Sequence, residues 1–135
     1  MKVYLAASWS RLGEMRQVAL ELRKMGVTVD CRWLDEDPLP LHGQEKFHRE
    51  NALNDVADIR NCDVLVRFTD DLSGPSVPSH LATGARMFEQ GLAFAIGKPI
   101  YVVGGQQHIF DRLPGMVHVR DVAHLKRELC PEEIN

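Results

Sequence analysis

Glu89 draws attention by its surroundings. The segment Thr83-Gly84-Ala85-Arg86-Met87-Phe88-Glu89-Gln90-Gly91-Leu92-Ala93 is largely apolar, and its spacing predicts part of a helix running from His80 to Ile96. A carboxylate among Phe88, Leu92, Ala93, Phe94 and Ile96 costs free energy unless it is paired or put to use. Gly84 and Gly91 would each cost about 1 kcal/mol relative to alanine in a helix interior. Such glycines make sense where a ligand or another backbone approaches closely. The plain alternative, a glutamate on the wet face of an amphipathic helix, is equally open on the residues alone. Asp55 is a second carboxylate of interest. Asp55, Ile59 and Asp63 are spaced i, i+4, i+8 and share a helical face, with Asp63 at the entry to a strand and Asp55 free to project toward a cleft. Paired carboxylates are the raw material of acid–base and nucleophilic catalysis.

The elements that must position these acids alternate along the chain. Val3-Tyr4-Leu5-Ala6-Ala7 reads as a buried strand, and Ser8 or Ser10 caps the helix that follows. In that helix Leu12, Met15, Val18, Ala19, Leu22 and Met25 recur at helical spacing, and Gly26 closes it. Val27 to Trp33 alternates in the period of a strand. Leu34 to Gly43 is a loop, and Gln44 to Asn61 a polar helix whose apolar side is Phe47, Leu53, Val56, Ala57 and Ile59. Cys62 to Phe68 is a third strand, Thr69 to Ser79 a turn-rich loop, and Pro99 to Val103 a fourth strand. Ile109 to Leu113 reads as one helical turn, Val117 to Val119 as a fifth strand and Val122 to Leu129 as a last helix.

This alternation predicts a three-layer α/β domain, Rossmann-like or flavodoxin-like, with a five-stranded mainly parallel sheet in the order 2-1-3-4-5. Residues 1–135 form one domain. Ligands of such sheets sit beyond the carboxyl ends of the strands at the switch point between strands 1 and 3. That rule gathers Ala7-Ser8-Trp9, Thr69-Asp70-Asp71 and the start of the His80–Ile96 helix around one cleft, which Trp9 and Trp33 also face.

Several functions are excluded or disfavoured by what is missing. A chain of 135 residues with a net charge of −3 has no basic stripe for nucleic acid. No run approaches the ~18 apolar residues of a membrane span, and the N-terminal apolar run is too short for a signal peptide. Cys31, Cys62 and Cys130 form no CxxC motif, and together these features point to a cytoplasmic protein with reduced thiols. After strand 1, AASWSRLG matches neither GxGxxG nor GxxxxGK[ST], so no dinucleotide or P-loop fingerprint opens the domain. No nucleophile elbow of the GxSxG type occurs. His42 and His48 fall on different helical faces, and neither a metal nor a cofactor is expected.

Four segments in order carry a resemblance. They are Tyr4-Leu5-Ala6-Ala7-Ser8, Asp55-x3-Ile59-x3-Asp63-Val64, Thr83-Gly84-x4-Glu89-x-Gly91-x-Ala93 and Gly97-Lys98-Pro99-Ile100. Together they resemble the nucleoside 2-deoxyribosyltransferase family, which includes deoxynucleoside 5′-monophosphate N-glycosidases. The stretch Gln107-His108-Ile109-Phe110-x2-Leu113-Pro114 is similar to the region after strand 4 in many members, and the match runs from about residue 2 to 119.

The resemblance implies that Glu89 attacks C1′ of a (deoxy)ribosyl group, expels the base and forms a glycosyl ester, which water or a second base then resolves. It implies Asp55 as acid or sugar-hydroxyl anchor and Tyr4 as the residue that positions the nucleophile. Ser8 matches a contact to the sugar or its 5′ substituent. Ser10 and Arg11 offer a phosphate cradle at a helix start, and Trp9 a surface for stacking on a base. Thr83 falls where members carry a carboxylate or a serine; a hydroxyl there, with Arg86 nearby, tilts the reading toward a nucleotide. Gln107 and His108 are the nearest candidates for residues that complete the site. The implied partner is a small nucleoside or nucleotide, and the implied assembly a homodimer or higher homo-oligomer. Gln90, where members carry an apolar residue, and the bulky Met87-Phe88 depart from the family pattern. A non-catalytic nucleotide-binding module of the same fold is the alternative.

Overall fold

The computed structural model describes residues 1–35, 45–69, 84–105 and 109–131. The core is a five-stranded sheet of β1 (Lys2–Ala6), β2 (Thr28–Val29), β3 (Val64–Phe68), β4 (Ile100–Val103) and β5 (Met116–Val119). Its order is β2-β1-β3-β4-β5, and every pairing is parallel. This is the sheet expected from the sequence, and the reason is chain geometry. Parallel neighbours require crossovers, and the helices that make them cover both faces. Those helices are α1 (Leu12–Lys24), α2 (Glu45–Asn61), α3 (Gly84–Ala95) and α4 (Val122–Leu129).

Register decides which side chains share a face. Tyr4 pairs with Leu65 and Ala6 with Arg67, so Tyr4, Ala6, Leu65 and Arg67 all point to one side of the sheet. Val3, Leu5, Val64, Val66 and Phe68 point to the other. All five residues of β3 are buried, as a central strand covered on both faces requires. The first loop follows the serine prediction. Ser8 Oγ accepts from Ser10 N at 3.4 Å and caps a 3₁₀ turn, Trp9–Arg11, that runs into α1. Gly26, at φ 87°, then turns the chain out of α1.

Two expectations need correction. The second strand is only Thr28–Val29, because the chain bends into a 3₁₀ turn at Arg32–Asp35. Arg32 holds that bend by donating its backbone N–H and Nε to the Asp58 carboxylate, and Nη2 to Asn54 O at 3.2 Å. Trp33 is buried there with its indole N–H donating to Leu5 O at 2.8 Å, so its polar edge serves the fold. Leu53 is exposed, whereas Ile59 is buried, so the apolar side of α2 is narrower than the residue types suggested. The expected loops at 36–43 and 70–79 and the first residues of the His80–Ile96 helix lie outside the described residues, as does Asp70. No described helix is long and apolar enough to cross a membrane.

The carboxyl ends of β3, β4 and β5 meet at Gly104. Its N–H donates to Val119 O at 2.9 Å, and its φ of 109° is one that a side chain rarely adopts. A Cβ built there would lie 2.0 Å from Thr69 Oγ1, a hydroxyl that donates to Val103 O. Gly104→Ala therefore combines backbone strain with overpacking, and chemical denaturation should show a loss of about 2–4 kcal/mol.

Candidate functional site

Tyr4 and Glu89 meet between the sheet and α3. The Tyr4 hydroxyl donates to Glu89 Oε2 in a buried hydrogen bond that links residues 85 apart in sequence. β1 supplies Tyr4 on the sheet face that α3 covers, and Tyr4 is fully buried. On α3, Arg86, Glu89, Gln90 and Ala93 are buried and Phe88 and Gly91 exposed, so the helix turns its glutamate inward and a phenylalanine outward. The wet-face alternative for Glu89 is thus set aside, because its side chain retains only 9% exposure.

Electrostatics makes this carboxyl unusual. Burial pushes the Glu89 pKa from 4.5 up to about 8; the Tyr4 hydrogen bond opposes the rise and the negative charge of Asp55 adds to it. Tyr4 is pushed strongly upward, first by burial and then by the charges of Glu89 and Asp55, so it remains a donor at every physiological pH. Asp55, half-buried on α2, thus lies within electrostatic reach of both. Three elements distant in sequence bring a phenol and two carboxyls together. A nucleophilic or charge-stabilising carboxylate beside a second acid is an arrangement suited to acid-assisted displacement at carbon.

The other sequence-derived site residues separate into groups. Ser8 is buried and Ser10 exposed; their hydroxyls lie 2.8 Å apart, next to the end of β1. Trp9 is 42% exposed, with its ring 6.0 Å from that of Trp33, so it presents an aromatic face at the strand-1 loop. Arg11 is more committed than a free phosphate ligand would be. Its Nε and Nη2 donate to Glu14, its Nη1 donates to Thr69 O at 2.7 Å, and its guanidinium lies 5.5 Å from the Phe68 ring centroid. It straps the strand-1 loop to the end of β3. Arg86 is 1% exposed, one helical turn before Glu89. Thr83 and His108 lie outside the described residues. Asp63, read as structural, accepts from Lys2 N at 2.8 Å.

Arg67 and Asp111 escaped the sequence reading. Arg67 sits within β3 at 1% exposure and pairs with Asp111, wholly buried in the 3₁₀ turn Ile109–Arg112, at 2.5 Å. A cation inside a central strand of a parallel sheet was the available signal, since such a residue is buried and needs a partner. Among the described residues no group of three or more His, Cys, Asp or Glu is placed to hold a metal ion.

No family model matches this sequence, and no curated protein matches it. Solved structures do. A 2-deoxyribosyltransferase from Bacillus psychrosaccharolyticus superposes with a TM-score of 0.67 at 18% identity, over 93% of this chain and 90% of that one. The CMP N-glycosidase BcmB of Clostridium botulinum gives 0.62 at 19% identity, over 96% and 98%. The chain shares the fold of these enzymes. A conserved protein from Enterococcus faecalis V583 also superposes, with a TM-score of 0.58 at 16% identity over 95% of this chain and 98% of that one. The α/β architecture expected from the alternation of elements is therefore the one found.

A thermodynamic consequence tests the burial of Glu89 without any substrate. Its folded-state pKa lies above its unfolded value, so the stability it contributes is complete below pH 4.5 and is lost as pH rises toward about 8. Glutamine mimics the neutral acid at all pH values. Glu89→Gln should match the native protein in stability near pH 4.5 and exceed it progressively by pH 8, with an upper bound of about 4 kcal/mol. Denaturation curves across that range check it, and a gap that does not grow with pH would contradict the placement.

Proposed function

We propose that this protein cleaves the N-glycosidic bond of a (deoxy)nucleoside or nucleoside 5′-monophosphate, with Glu89 as nucleophile. The observation that supports this most is the buried Tyr4–Glu89 hydrogen bond with Asp55 in electrostatic range, on a fold shared with a 2-deoxyribosyltransferase and a CMP N-glycosidase.

In this reading the ionised Glu89 carboxylate attacks C1′ as the C1′–N bond breaks, forming a glycosyl ester on Glu89. The departing base is a poor leaving group until a ring nitrogen is protonated, and Asp55 supplies that proton. Water, or a second base, then attacks C1′ and returns its proton to the Asp55 carboxylate as Glu89 leaves. Retaining glycosidases divide the displacement in the same way. The raised pKa of Glu89 means that the resting site holds a proton at neutral pH. Binding therefore has to leave that proton on Asp55 and the charge on Glu89. Tyr4 favours this distribution because its hydrogen bond stabilises the ionised glutamate. Ser8, Ser10 and Arg86, with Thr83, are the proposed contacts to the sugar and its 5′ substituent, and Trp9 the stacking surface for the base. Arg11 acts through Glu14 and Thr69 as a strap for that loop. His108 is proposed to complete the site.

A homodimer or larger homo-oligomer belongs to the same reading. Phe88 and Phe94 on α3, with Ile109 and Phe110 on the neighbouring turn, expose apolar surface around a groove of about 600 Å³. Contiguous exposed apolar surface of this kind is rarely left in water. Sedimentation of the full chain should give a dimer or larger species, and Phe94→Glu should shift it toward monomer.

The direct test incubates the protein with a panel of nucleosides and 5′-monophosphates, with and without an acceptor base, and measures released base. Release is expected from at least one of them, with a basic limb in kcat/KM of apparent pKa near 8, where the pair loses the proton that Asp55 delivers. Removing the nucleophile of a covalent mechanism costs many orders of magnitude, so Glu89→Ala and Glu89→Gln should lose about 10³-fold or more. Undiminished turnover in either variant overturns the mechanism. Nucleotide binding without base release, unaffected by Glu89→Gln, would favour a sensing module.

A further inference from the structure

The Arg67–Asp111 pair joins three elements around the Glu89 helix. Arg67 Nη2 donates to Asp111 Oδ1 at 2.5 Å, and Arg67 Nη1 lies 3.2 Å from Met87 Sδ on α3. Next to Asp111 in the 3₁₀ turn, Phe110 O accepts from Gln90 Nε2 at 3.5 Å. The two ties therefore land on α3 two residues before Glu89 and one residue after it. One comes from the central strand β3, and the other from the turn that β3 itself holds through the ion pair.

Burying this pair is a poor route to stability. Both side chains are essentially solvent-free, at 1% and 0% exposure, and apolar residues of similar volume usually serve a core as well or better. β3 otherwise reads Val-Leu-Val-Phe, the composition of a central parallel strand. A different requirement is close at hand. Glu89 reaches Tyr4 by one hydrogen bond across the gap between α3 and β1. Directional contacts of this kind fail when the helix shifts by a fraction of its pitch.

We propose that the Arg67–Asp111 ion pair is a positioning device: it fixes the rotation and height of α3 on the sheet so that the Glu89 carboxylate meets the Tyr4 hydroxyl. Arg67 and Asp111 are thus positioning residues that act through Met87, Phe110 and Gln90. The inference rests on the reading of Glu89 as nucleophile, and its test includes a measurement that does not need the reaction. Among the described residues, the ionisable groups that bear on Glu89 are Tyr4 from β1 and Asp55 from α2, with the buried Cys31 also in electrostatic range; Arg86 is buried one turn earlier on the same helix.

The decisive variant is Arg67→Met/Asp111→Leu, which removes both charges and leaves neither uncompensated. It should melt cooperatively. A misplacement of about 1 Å can cost roughly 10²-fold in rate, so kcat for base release should fall about 10–100-fold with KM within about 3-fold. The basic limb of its pH profile should move to higher pH, because a loosened Tyr4 bond no longer favours the ionised glutamate. Arg67→Lys, which keeps the charge but not the fork, should recover part of kcat. Independently of turnover, the stability gap between this variant and the same variant carrying Glu89→Gln should open from about pH 4.5 as in the native background but keep widening to higher pH and reach a larger plateau. If the native protein releases base from no substrate, the proposed function fails, and this gap alone decides the positioning role. A folded double variant with native kcat, native pH profile and a native gap overturns the proposal. Should the double variant not fold, Gln90→Met cuts the second tie without stranding a charge. A several-fold lower kcat or a gap that keeps widening to higher pH then supports the proposal, and native values for both overturn it.

Discussion

The hydrogen bond from Tyr4 to Glu89 is the interaction around which the rest of the molecule is arranged. It spans the space between a buried strand and the helix above it, and both residues are buried there. In that environment a carboxyl is caught between two opposed influences. Burial favours the neutral acid, and the phenol favours the anion; the nearby Asp55 tips the balance further toward the acid. A poised carboxyl of this sort is held near neutrality, where a small change on binding can switch its charge. Perturbed ionisation of this kind marks sites of chemistry more often than sites of architecture.

The position is maintained by parts that carry no chemistry of their own. The parallel sheet sets Tyr4 and Arg67 on one face because the register of β1 on β3 pairs Tyr4 with Leu65 and Ala6 with Arg67. Arg11 ties the strand-1 loop to Thr69. Thr69 in turn donates its backbone N–H to Val103 O, so the carboxyl ends of β1, β3 and β4 are linked. A buried ionisable acid is a thermodynamic liability of the kind that active sites carry at a cost in stability.

Much of this was legible in the residues. Parallel topology followed from the alternation of elements, whereas the apolar neighbours of Glu89 left an inward and a wet face equally open and the family resemblance pointed to the first. The tyrosine and aspartate partners came from the order of four short segments, since periodicity alone cannot bring residues 4, 55 and 89 together. What was not legible has physical reasons. The second strand is cut short because Arg32 finds Asp58 and Asn54 on α2, long-range partners that local alternation does not reveal. Trp33, expected to face the cleft, is instead buried with its N–H given to Leu5 O. Arg67 was passed over because a single cation in a strand is silent about its partner, and Asp111 lies 44 residues away.

The central claim is that Glu89 forms a covalent bond to the sugar. It is tested most directly by quenching the protein in acid during turnover of a reactive substrate, then locating any adduct by peptide mass spectrometry. The account predicts one pentosyl group, or its 5′-phosphate form, on the peptide bearing Glu89, and none after Glu89→Gln. Steady base release with no adduct on Glu89, or with an adduct on another residue, would contradict it.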